Sequence, residues 1–147
     1  MTNLNIAAKF AAVLSLGVTV IHWMDQGGSH MKDPLYIGVG YYLIELAGVA
    51  AALMLLARAN RRGLALALGV ATAPFLGYVL SRTVGLPAAM DDIGNWTEPL
   101  GLISLVVEGS LLALASLVLM RAPGRRWSLT SRQAAHEAPE SASWAAS

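Results

Sequence analysis

An all-α fold, a bundle of four transmembrane helices, is what this chain predicts, and three observations predict it. Of 147 residues, 56% are hydrophobic and only 13% charged, too few polar groups to skin a soluble domain of this size. Those few polar residues are clustered, leaving four apolar runs long enough to cross a bilayer at 1.5 Å rise per residue. The basic residues also alternate in position. Lys9, Arg58, Arg61, Arg62, Arg121, Arg125, Arg126 and Arg132 fall on one side of such a bundle, and only Lys32 and Arg82 near the other. The positive-inside rule then predicts cytoplasmic N- and C-termini and outward-facing loops at 25–34 and 86–98.

The first span is expected at about 7–24, with Lys9 snorkelling to the headgroups. A cleaved signal peptide is the competing reading. The bulky, polar Ile21-His22-Trp23-Met24-Asp25 offers no small-residue cleavage site, so a retained helix is expected. Gly27-Gly28 breaks the chain, and Asp33-Pro34 suits a helix start, with Asp33 as N-cap and Pro34 at the first helical position. The second span is expected at 34–56. A tight basic turn at Arg58, Arg61 and Arg62 leads to the third, 63–84, with a kink expected at Pro74. Gly85 is placed to take a left-handed C-cap, and Pro87 stops the helix. Glu98-Pro99 opens the fourth span, 99–120. Residues 1–122 thus form one bundle, and the patternless 123–147 reads as a disordered cytoplasmic tail.

Helices in lipid associate through small residues rather than through a hydrophobic drive. Gly69, Ala73, Gly77 and Ser81 make one stripe on the third span. Ala11, Ser15, Thr19 and His22 make one on the first; Gly48 and Ala52, and Gly109 and Ala113, serve the second and fourth. All are expected to be helix contacts.

Chemistry is sparse. With no cysteine, disulfides, thiolate nucleophiles and cysteine-ligated metal centres are excluded. Phosphate loops, nucleophile elbows and zinc-protease motifs do not occur. Glu45 and Glu108 lie eleven and nine residues inside the outer helix starts at Pro34 and Pro99, roughly 14 to 17 Å deep. An ionised carboxylate at that depth costs at least ~3 kcal/mol, so each is expected to face the interior and hold a partner. Tyr41, Tyr42 and Ser104 are one-turn donors to these acids. Arg82, with Tyr78 one turn below, can reach inward to a glutamate. The expected site is therefore a shared polar network of Glu45, Glu108, Arg82, His22, Tyr41, Tyr42 and Tyr78. A structural network that merely sets helix register stands beside this reading at even odds.

His22, Asp25 and His30 are the candidate ligands for an outer-surface metal. Their spacing matches no established ligand set, and a histidine satisfied by a carboxylate such as Asp25 is the commoner outcome. A single helical histidine does not suit bis-histidine haem. No cofactor is expected. Trp23, Tyr36 and Trp96 suit an aromatic belt.

Ser81-Arg82-Thr83-Val84-Gly85-Leu86-Pro87, followed by Glu98-Pro99-Leu100-Gly101, resembles the signature of an uncharacterised family of small bacterial four-helix integral membrane proteins. The resemblance covers about residues 7–120. It implies a four-helix bundle with a histidine near the end of the first helix, here His22, and an acid in the last, here Glu108. Ala88 to Thr97 departs from the glycine- and proline-rich linker of that family. Ser104 stands where an acid is usual, so a second carboxylate is not carried over. The resemblance brings no activity.

The functional expectation is a multi-pass protein of the bacterial plasma (inner) membrane, more an accessory or ligand- and partner-binding component than an enzyme. Its polar site would open outward. The lipid bilayer, a membrane-protein partner or a second copy of the chain are the expected contacts, and nucleic acid is not. The alternative is a proton- or cation-coupled transporter or channel, acting as an oligomer through Glu45 and Glu108. A membrane redox enzyme using Tyr41, Tyr42 and His22 ranks third.

Overall fold

A computed structural model describes residues 3–25, 34–58 and 60–121. They form α1 (Asn3–Asp25), α2 (Leu35–Ala57), α3 (Arg61–Thr83) and α4 (Pro99–Arg121). All four are long and apolar enough to cross a membrane. His30 and the segment 122–147 lie outside the described residues, and with them the expectations for the first loop and the tail.

Three helix starts differ from the sequence expectation, α1 beginning at Asn3 rather than at about 7. Pro34 is the N-cap of α2 rather than its first residue, with φ −51° and ψ 134°, and its carbonyl accepts from Ile37 N at 2.8 Å. The helix α3 begins two residues early because Asn60 caps it, its side chain accepting from Gly63 N at 2.6 Å. At the other end of α3, Gly85 has φ +80° and its N–H donates to the Leu80 carbonyl at 3.0 Å. This is the left-handed termination that only glycine adopts without penalty.

The helices run up and down around a ring, each touching the next, with α4 closing on α1. Helices α1 and α3 also touch across the middle, while α2 and α4 stand apart. Small residues make that approach possible. The buried face of α1 is Ala8, Ala11, Ala12, Ser15 and Val18, spaced three and four apart, and it meets Ala51, Ala52, Ala67 and Ala71. The large side chains point the other way, with Phe10, Leu43, Leu46, Leu53 and Val106 all exposed. Large residues outside and small ones inside suit a solvent of lipid tails, where van der Waals contact between backbones holds helices together. Gly48 shows how close α1 and α2 come. A Cβ there would lie 2.2 Å from Thr19 Oγ1 and 3.0 Å from the Ser15 carbonyl oxygen.

The small stripe of α3 behaves differently from the expectation. Gly69 and Ala73 are exposed, and a Cβ on Gly69 or Gly77 would meet nothing within 4 Å. Ala73, Gly77 and Ser81 line an opening instead of a helix contact. The half of the bundle that holds the end of α3 is therefore not filled.

Candidate functional site

That opening is a cavity of about 360 Å³ at the end of the bundle where α1 and α3 finish and α2 and α4 begin. All four helices contribute to it. Helix α1 supplies His22 and Asp25, and α2 supplies Tyr36, Gly40 and Tyr41. Helix α3 supplies Gly77, Tyr78 and Arg82; the α4 end supplies Glu98, Ser104 and Glu108. The α3–α4 loop adds Leu86, Ala89 and Asp92.

Glu108 is the most deeply buried charged residue described, 1% exposed. Its Oε1 lies 3.0 Å from His22 Nε2 and accepts from Ser104 Oγ, one turn earlier on α4. Its Oε2 is buried without a hydrogen-bond partner among the described residues. The structure pairs His22 with Glu108, across from α1 to α4, and Asp25 accepts from Tyr41 Oη at 3.0 Å. Serine and histidine converge on the same carboxylate oxygen and not on each other, so they do not form an activated-nucleophile pair.

Arg82 is 6% exposed at the last turn of α3. Its guanidinium pairs with Asp92 at 2.8 Å and with Glu98, and stacks over the Tyr78 ring at 4.6 Å from the centroid. Its own carbonyl accepts from Gly94 N at 2.9 Å. Side chain and backbone of one residue thus tie the α3–α4 loop down beside the cavity. Tyr36 adds a second tether, donating to the Pro87 carbonyl at 2.6 Å. Trp96 meets Tyr78 edge to face, ring centroids 6.1 Å apart.

Of the seven residues expected in one network, five line the cavity: His22, Tyr41, Tyr78, Arg82 and Glu108. Glu45 and Tyr42 do not. The cavity face of α2 is Ile37, Gly40, Tyr41 and Ile44, and at 100° per residue Glu45 lies about 80° round the helix from Ile37. The guanidinium expected to meet Glu45 or Glu108 is held by loop carboxylates instead. Asp92, Glu98 and Ser81 are site residues that the helix-by-helix reading did not assign. The available signal was three acids, Asp91, Asp92 and Glu98, within the short connection after a cation at a helix end. No three His, Cys, Asp or Glu side chains among the described residues converge as a metal site.

Compared with known protein families, curated proteins and solved structures, the chain matches none.

Proposed function

We propose that this chain is a multi-pass protein of a bacterial plasma membrane that binds a small ligand in the cavity, as a non-enzymatic accessory or sensory component. The resemblance at Ser81–Pro87 and the distribution of basic residues support the location and cytoplasmic termini. The observation that carries the binding reading is a cavity of about 360 Å³ with a buried carboxylate oxygen of Glu108 left unpartnered. That volume falls in the range of small-molecule sites, which are concave, mostly apolar and carry a few convergent polar groups. An unmet buried acceptor costs roughly 1–3 kcal/mol, a cost that a ligand donor would remove. Transport through Glu45 and Glu108 requires both acids on one path. Glu45 is not on the cavity lining, so binding is the better-supported reading.

The test fills the cavity without disturbing the bundle. Gly77 lines it and has open space where a side chain would begin, so Gly77→Leu should fold at least as well as the parent, leucine being the better helix former. Native mass spectrometry of both proteins from neutral-detergent extracts should show small molecules retained by the parent and lost from Gly77→Leu. Identical spectra from two equally stable proteins would refute a ligand site.

A further inference from the structure

The geometry points to a ligand class, and we infer that the cavity takes a small organic cation, a hydrophobic ammonium compound. This rests on the binding reading above and goes further by naming the chemistry. Four carboxylates among the described lining residues, Asp25, Asp92, Glu98 and Glu108, surround a single guanidinium. That guanidinium is already paired with two of them, Asp92 and Glu98, so its charge is offset within the lining, although its Nε has no hydrogen-bond partner among the described residues. By composition the described lining holds four acidic side chains against one guanidinium and one imidazole.

The second, independent observation is Glu108 itself. It is 1% exposed, it lines the cavity, and its Oε2 has no hydrogen-bond partner. A neutral apolar occupant would leave that oxygen unmet, whereas an ammonium group supplies both charge and, where it bears N–H, a donor. An inorganic ion is a poor match. The four carboxylates are divided among separate partners, Tyr41, Arg82 and His22, and no three acid or histidine side chains converge among the described residues. The space also equals about a dozen waters at ~30 Å³ each, far beyond one bare ion.

The walls fit the same class. Tyr36, Tyr41 and Tyr78 line the cavity, and tyrosine faces attract cations through their ring quadrupole. Tyr78 already holds one cation in this way, the Arg82 guanidinium at 4.6 Å. Ile37, Ile44 and Leu100 supply the apolar remainder.

The experiment titrates the full chain in a neutral detergent with three probes of similar size and different charge: benzylammonium, benzoate and benzyl alcohol. Isothermal titration calorimetry should show saturable binding of the cation, with the other two at least roughly tenfold weaker. Glu108→Gln should weaken the cation by about tenfold or more, since the variant keeps the shape and loses the charge. Asp25→Lys, at the exposed mouth, should weaken the cation several-fold and leave the fold intact, so the inference stays testable if Glu108→Gln does not fold. Benzoate or benzyl alcohol binding as tightly as the cation overturns the inference, as does cation binding unchanged in both variants or absent from the parent. None of these results touches the ligand site itself, which the comparison of Gly77→Leu decides separately.

Discussion

Replacing His22 and Glu108 by leucine, singly and together, separates a pair that the fold merely carries from one that holds the fold together. Their contact is 3.0 Å, and both groups are largely shielded, the side chains 11% and 1% exposed. Removing one partner of a buried pair costs roughly 1–3 kcal/mol where the group left behind is polar and roughly 3–5 kcal/mol where it is charged. This pair borders a cavity, so relaxation and water there lower the cost; about 2–3 kcal/mol is expected for His22→Leu, which leaves Glu108 only Ser104 as partner. Glu108→Leu should cost less, about 1–2 kcal/mol, because the residues left behind are a histidine beside the cavity and a serine. The double replacement removes both polar groups and should return to within about 1 kcal/mol of the parent. The cycle then gives a coupling of about 2–5 kcal/mol, well above the ~0.6 kcal/mol average for hydrogen bonds between helices in membranes. Unfolding by dodecyl sulfate titration in mixed micelles, followed by circular dichroism, measures all four corners. A coupling at or below that average would refute the geometry of the pair. A double variant that is coupled yet stays several kcal/mol less stable than the parent would show that these groups are scaffold, and the case for a ligand would weaken with it.

Four further outcomes follow from local packing and backbone geometry. Gly48→Ala should destabilise by about 1–2 kcal/mol, an overpacking cost of ~1–3 kcal/mol against up to ~1 kcal/mol of helix propensity, and Thr19→Ala in the same chain should recover most of it. Gly69→Ala, with open space around it, should be neutral or stabilising in the same assay. Ala88 holds φ +60° in the Leu86–Ala89 turn, so Ala88→Gly should gain up to about 1 kcal/mol, the relief of a left-handed conformation exceeding the added freedom of the unfolded chain. Arg82→Lys keeps the charge but loses the fork that grips Asp92 and Glu98 together. Hydrogen exchange at the Gly94 amide, which donates to the Arg82 carbonyl, should accelerate by about tenfold or more through local opening, and unchanged exchange would show that the guanidinium does not hold the loop.

The contrast between Gly48 and Gly69 marks how far the chain could be read unaided. Apolar run length placed all four helices, and Gly85 announced its own left-handed termination. Direction around each axis was another matter. A helix apolar on every side has no polar face to show which way it turns, so Glu45 and Glu108 looked equivalent by depth although only Glu108 reaches the cavity. The Gly69–Ala73–Gly77 stripe looked like packing for the same reason. Arg82 shows a second limit. Distance along a span says nothing of a loop folding back, and it is the loop that brings Asp92 to the guanidinium. Asn60 was different in kind: an N-capping residue stood in plain view among the arginines that drew attention to the turn.

The His22–Glu108 contact has one more consequence, for assembly. It joins the first antiparallel half of the chain, α1 with α2, to the second, α3 with α4. Each half inserted alone would carry an uncompensated imidazole or carboxylate into the bilayer, a penalty that only docking relieves. The cavity is thus also the seam where the molecule closes. A chain severed in the turn around residue 59 should reassemble from its two pieces, with the seam acting as their latch.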